Sequence, residues 1–477
     1  MGLTQAAFGE ASVIRMSHPV SIYSMFKGGE RMKSSIVKLL ALLMVASMFL
    51  VACGPQATPT EAPAMTEEPA MPEAPAATEA PAAEPVTVTI GFTSSLTGSN
   101  EVNSKRQVTG FQLWMDQVNE AGGITLSDGT VINFDFVTYD DESNTERVQE
   151  LYTRMITEDN ADFLISPYGS TYTSAASIVA EQNGKVMITA GAADPVTYQT
   201  GNTGLFQLYT PANLYMSSTV DLLQELDPDA KIALVYEQDK FTEGVVQGIK
   251  PYLEERNFDI VLEDSYEQKG PADFGPVVNK IIASGATVLL GGGHNEDGQN
   301  FARALYERKA GLKFIYLLVA PADNTFAQLG DAALGVAVSS QWELAATHTE
   351  EEAASLGVEW FGPTGEDFAA AYEAANGDKP SYHVAGGYAA GLVLQKAIMD
   401  ADSVDPDAVK AALNAMDIMT FYGHIKFDTS EESHGLQIAH KMVVAQWQRN
   451  EAGELERVII APPGVALADP LYPIPTP

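Results

Sequence analysis

From Val86 onward the chain alternates short apolar runs with stretches whose apolar positions recur every three to four residues. VTVTIGF (86–92) is β-branched and continuous, which predicts a buried strand. The segment after it places Phe111, Trp114, Met115 and Val118 on one helical face, and Ala121-Gly122-Gly123 ends that helix. Residues 132–141, 161–166 and 185–191 read as further strands, with helices near 147–157 and 174–183 between them. The rhythm repeats with strands at 231–237, 259–267, 287–293, 314–320 and 335–340. Helices are predicted after the first of these to about Glu255, around 274–282 and near 296–309. Helical patterns at 365–376, 383–400 and 405–416 precede two strand-like stretches, 441–448 and 456–462. Continuous apolar strands alternating with helices predict parallel sheets covered on both faces. Two such series exceed one sheet of ordinary size, so the expected fold class is α/β, with two doubly wound lobes.

The N-terminal region has another character. Residues 32–52 begin with Lys33 and Lys38 and continue into an apolar run from Leu39 to Ala52. That run is too short for a comfortable membrane span of about 20 residues, and it has the size of a secretory signal core. It ends Leu50-Val51-Ala52-Cys53-Gly54, which resembles a bacterial lipobox, and Cys53 is the only cysteine in the chain. The resemblance implies lipidation at Cys53 after removal of residues 32–52. Residues 1–31 look like neither a domain nor a targeting signal and are read as an over-extended, disordered gene start. Residues 54–85 are rich in Pro, Ala, Thr and Glu, without Lys, Arg or aromatics. Such a segment cannot offset the entropy of ordering and reads as a tether, reaching on the order of 100 Å at full extension. The proline-rich 463–477 is expected to be a surface tail.

The chain has 477 residues and a net charge of −36, which argues against a nucleic-acid partner and against an anionic membrane surface. One cysteine excludes an intramolecular disulfide framework and a multi-cysteine metal centre. No P-loop, dinucleotide fingerprint, G-x-S-x-G elbow or H-E-x-x-H appears. His294 and Glu296, in the glycine-rich GGGHNEDG (291–298), have no third ligand nearby in sequence. The other histidines lack ligand spacing, and YDDES (139–143) reads as a solvated acidic loop or as charge at a helix N-terminus rather than a metal site. No residue set argues for an enzyme, a metal site or a cofactor. The loops at the carboxyl ends of the strands are where a doubly wound sheet holds a ligand. They include 95–103, 166–174, 188–195, 237–244 and 291–298.

Five segments in register, IGFTSSLTGSN with GFQLWMDQVNEAGGI, VTYDDESN, LISPYGSTYTSAAS, VMITAGAADP and TFYGHIKFD, resemble the leucine/isoleucine/valine-binding family of ABC-importer substrate-binding proteins. The resemblance covers about 86–462. It implies the type I periplasmic-binding fold, with lobe 1 from 86–210 and 341–440 and lobe 2 from 211–340 and 441–462. It further implies three hinge crossings, near 208–212, 338–342 and 438–444. By register, the resemblance puts Asn103, Ser170, Thr171, Ala190, Gly191, Ala193, Phe241 and His294 at the ligand. Asp323 joins them only with a shift from Leu318 or Val319, and Ala193 stands where the family usually has a threonine.

The implied function is capture of a small polar solute (amino acid, amide or related carboxylate) by hinge closure and its delivery to permease subunits. The protein would be an extracytoplasmic, lipid-anchored monomer. A ligand sensor of the same fold is the alternative, with an enzyme third.

Overall fold

The computed structural model describes residues 85–268 and 270–475. Residues 1–84, and with them the expected signal sequence, Cys53 and all but the last residue of the expected tether, lie outside the described residues. Among the described residues no helix is long and apolar enough to cross a membrane.

The first series builds one sheet. β1 (Val86–Ser94), β2 (Ile124–Thr125), β3 (Val131–Asp140), β4 (Phe163–Ile165), β5 (Met187–Thr189) and β6 (Leu205–Gln207) assemble in the order β2-β3-β1-β4-β5-β6. All neighbours are parallel except the short β2 against β3. The crossovers carry α1 (Glu101–Glu120), α2 (Thr145–Thr157) and α3 (Ser170–Gln182). α3 begins four residues before its apolar pattern does, because Gly169 takes φ +99° and turns the chain into the helix at Ser170.

After α4 (Ser217–Leu226) comes a second sheet. It holds β7 (Lys231–Glu237), β8 (Asp259–Tyr266), β9 (Val288–Gly292), β10 (Phe314–Leu317) and β11 (Val336–Ser340). Its helices are α5 (Lys240–Glu255), α6 (Gly275–Ser284) and α7 (Asn295–Glu307). The chain then runs through α8 (Glu350–Leu356), β12 (Glu359–Trp360), α9 (Gly365–Asn376), α10 (Tyr382–Ala401), α11 (Pro406–Ala415), β13 (Asp417–Met419) and β14 (His424–Lys426). It returns to the second sheet as β15 (Val443–Arg449) and β16 (Leu455–Ala461), for an order of β16-β15-β11-β10-β9-β7-β8. The last two strands are antiparallel, as a hairpin appended to a parallel sheet must be. β12–β14 form a separate small sheet, which short polar-flanked strands did not announce in the sequence.

α10 belongs with the first sheet. Its backbone and that of α1 approach so closely that a Cβ on Gly110 would lie 1.9 Å from the Val384 carbonyl oxygen, and one on Gly387 equally close to that of Gln107. Only glycine permits this contact. Phe111 and Trp114 fill the space beneath it, with Phe92, Phe134 and Val384 in the same core.

The three segments that run between the sheets are tied side by side. Thr210 donates its N–H to Gln341 Oε1 (3.0 Å) and its hydroxyl to the His440 carbonyl (3.2 Å). His440 Nε2 in turn lies 3.0 Å from the Gln341 carbonyl oxygen. The bundle is buried, so its polar groups pair with each other rather than with water.

One expectation needs correction. Asp141 in the acidic loop is buried, not solvated. It accepts hydrogen bonds from Ser95 (2.6 Å) and Thr93 (2.7 Å) and so braces the loop after β1. The proline-rich tail is mostly exposed or half-buried and is anchored at one point: Ile474 is buried in the second sheet's core, and its N–H bonds the Lys313 carbonyl (2.9 Å).

Candidate functional site

In each sheet the strand order reverses once along the chain. β3 and β4 lie on opposite sides of β1, and β8 and β9 on opposite sides of β7. Loops leaving the strand ends beside such a reversal part and leave a crevice. Here the two crevices meet in one small, partly enclosed pocket, with free space in this state of about 10 Å3.

Its wall comes from six stretches of chain. The β4–α3 turn supplies Tyr168 and Gly169, and the loop after β5 supplies Gly191 and Ala193. Tyr209 and Tyr215 come from the first crossing. Phe241 opens α5 and His294 caps α7, and Tyr382 is the first residue of α10. The rings brace one another: Tyr215 on Phe241 (5.2 Å between centroids), Phe241 on His294 (5.8 Å), Tyr168 on His294 (5.9 Å) and Tyr209 on Tyr382 (5.7 Å).

Gly191, Ala193, Phe241 and His294, all named from the sequence, thus line a single pocket. The other named residues stand outside its wall. Ser170 Oγ accepts the N–H groups of Ala193 and Asp194, both at 3.1 Å, and so holds the 190–194 loop to the start of α3. Ala190, in that loop, is buried and Thr171 is half-buried, and neither lines the pocket. Asn103 reaches His383, its Nδ2 donating to Nε2 at 2.8 Å; Tyr168 OH meets the same nitrogen at 3.2 Å. Burial pushes His383 down to about 3, so the ring is neutral and Nε2 accepts. Asp323 does not face the pocket. It pairs with Arg106 on α1 (3.4 Å) and caps its own turn through Thr325 (2.9 Å), which makes it a link between the second sheet's side and the first's. Arg106 is also 2.5 Å from Asp378. Lys240 makes a second link, donating to Ser174 at 2.9 Å.

Sequence reasoning missed Tyr168, Tyr209, Tyr215 and Tyr382. Four tyrosines scattered over more than two hundred positions carry no spacing signal, and each reads as a core residue. It also missed that folding brings Glu237 and Asp239 to His294, with one ligating atom from each within 4.8 Å of the others. His294 Nε2 lies 2.6 Å from Asp239. Burial alone would lower the imidazole's pKa. The charge and hydrogen bond of Asp239, helped by Glu237 and Asp297, outweigh burial and raise it to about 10. For Asp239 burial works upward, and the His294 charge and hydrogen bond reverse it, so that the carboxylate sits below its usual range. The pair is therefore an imidazolium and a carboxylate at neutral pH.

The family model for periplasmic binding proteins matches residues 87–453. The chain is 24% identical over 345 residues to the leucine-, isoleucine-, valine-, threonine-, and alanine-binding protein of Pseudomonas aeruginosa, covering 72% of this chain and 86% of that one. Among solved structures, the branched-chain amino acid transporter substrate binding protein LivJ of Streptococcus pneumoniae, in complex with isoleucine, superimposes with a TM-score of 0.62. It is 20% identical, and the match covers 78% of this chain and 100% of the other. A solute binding protein of an ABC transporter from R. palustris, in complex with benzoate, gives a TM-score of 0.65 at 18% identity, covering 81% and 99%.

Proposed function

The chain belongs to the periplasmic binding protein family, and from that premise we propose that its pocket captures one small solute between the lobes and releases it unaltered to a membrane permease. The protein is an extracytoplasmic substrate-binding component of an ABC importer. The observation that carries the pocket assignment is its position: it lies where both sheets' strand-order reversals meet, and it draws its wall from both lobes. The links from Arg106 to Asp323 and from Lys240 to Ser174 fit a closed form. A solute bridging the lobes would bias a hinge at the Thr210–Gln341–His440 bundle towards this state. Isoleucine in the streptococcal relative and benzoate in the R. palustris one bracket the size and chemistry to be screened.

Cys53 is proposed as the lipid attachment site, with residues 54–85 as the tether of a monomer. Mass spectrometry of protein purified without denaturation should reveal a bound small molecule that is released unchanged on unfolding. Conversion of that molecule during incubation would replace binding by catalysis. Labelled palmitate should enter the chain and be lost in Cys53→Ala; equal labelling of both would remove the anchor.

A further inference from the structure

Resting on the reading of this pocket as a solute site, we propose that its ligand is a monocarboxylate with an apolar or aromatic body and no ammonium group, its carboxylate taken by His294 Nδ1–H and Tyr209 OH.

Two residues of the wall, each with a buried polar atom that has no partner, carry the argument. His294 and Tyr209 are 7% and 3% exposed. His294 spends Nε2 on Asp239, while its Nδ1 has no hydrogen-bond partner among the described residues; the Tyr209 hydroxyl likewise has none. A buried donor left unmade is costly, and two of them on one small pocket mark where an acceptor belongs.

The backbone points the same way. Residues at the N-terminal ends of α3, α5, α7 and α10 line the pocket, and these helices run 13, 16, 13 and 20 residues. Helix N-termini favour negative charge. Asp239, the N-cap of α5, lies at Nε2, on the opposite edge of the ring from the open Nδ1.

An ammonium group finds no counterpart. Among the described residues, none that line the pocket carries a carboxylate. Asp239 is held by His294, Asp323 by Arg106 and Thr325, and Asp297 accepts from Tyr266 OH at 2.5 Å; Glu237 stands beside His294 but off the pocket wall, and it has an interaction of its own. A primary ammonium here would meet the His294 side chain as a like charge. The rest of the wall consists of aromatic faces, the Ala193 methyl and two glycines, which suit an apolar body without polar branches.

The test is calorimetry on full-length protein, unfolded and refolded to remove any bound molecule, with benzoate, benzamide and L-leucine as probes. Benzoate should bind at least tenfold more tightly than either of the others. Tyr209→Phe removes a hydroxyl that has no partner, so it should fold normally and lose roughly tenfold in benzoate affinity. His294→Gln should lose more, and its circular dichroism and melting curve report whether it folds. Leucine or benzamide binding as tightly as benzoate would overturn the carboxylate assignment while leaving the solute site standing, as would a Tyr209→Phe protein of unchanged affinity. Failure of every probe, together with an empty pocket in natively purified protein, would remove the solute site itself and this inference with it.

Discussion

His294 and Asp239 leave neighbouring strands of the second sheet, β9 and β7, and meet at 2.6 Å beneath the pocket. Asp239 does two things at once. Its carboxylate caps α5 by accepting the Thr242 N–H at 2.8 Å, and it holds the histidine that faces the cleft. The cap fixes the carboxylate, the carboxylate fixes the ring through Nε2, and Nδ1 is left without a partner. Substituting Asp239 by Asn keeps part of the cap but removes the charge that raises His294. The Asp239→Asn protein should fold, with His294 titrating well below its wild-type value in an NMR pH titration; an unchanged titration would break this link.

The same pair sets a pH response. The His294 pKa is raised from 6.5 to about 10 on folding. Its contribution to stability is therefore fully present below pH 6.5 and is lost as pH rises through about 10. Groups facing the ring are Asp239, Glu237 and Asp297. Of these, Asp297 is itself pushed up to about 7 by burial and by Glu237, so a smaller change accompanies its titration. Benzoate affinity should hold between about pH 8 and 9 and fall above pH 10. Calorimetry at stepped pH checks this, and a fall already complete by pH 8 would contradict it.

Arg106 offers a handle on the hinge. It joins α1 to Asp323 at 3.4 Å and is partly exposed, whereas Asp323 is fully buried. Arg106→Gln should weaken the closed form by about 1–2 kcal/mol, a buried-pair effect discounted for the solvent around the arginine. The expected readout is faster solute release in stopped flow with an unchanged melting temperature of the solute-free protein. An unchanged release rate would show that the link does not oppose opening.

Gly191 controls the room available. A Cβ at this position would stand 2.3 Å from Gln107 Oε1 and 2.9 Å from a ring carbon of Tyr168. Gly191→Ala should therefore push the Tyr168 ring into the pocket and reduce solute affinity more than tenfold, with a stability cost of about 1–3 kcal/mol. Chemical denaturation and calorimetry on one preparation separate the two effects.

Ser170→Ala would leave the buried N–H groups of Ala193 and Asp194 without their acceptor, at a cost of about 1–3 kcal/mol. Denaturation should show the loss, and affinity should fall with it because Ala193 lines the pocket. Unchanged stability and affinity would mean that the loop holds itself.

The alternation of strands and helices could be read from the sequence because each buried strand is a continuous apolar run, as in KIALVYE, observed as Lys231–Glu237. The small β12–β14 sheet has strands of only two or three residues, too short to leave a period. Gly191, Ala193, Phe241 and His294 were reachable through register along strand-end loops. The tyrosines were not. Tyr209 and Tyr215 sit on the first crossing, and Tyr382 begins a helix more than 160 positions later, so only the fold makes them neighbours. Asp323 was considered for the ligand because it is an acid near the right register. Its true neighbour is an arginine from the other side of the cleft, and no pattern along the chain could reveal that.

Small-angle X-ray scattering of the ligand-stripped protein, with and without a saturating monocarboxylate identified by calorimetry, tests the two-lobed trap most directly. The radius of gyration should fall on binding, and the bound profile should match the closed arrangement of residues 85–475. A solute that binds and leaves the profile unchanged, or a stripped protein already as compact as the bound one, would contradict hinge closure.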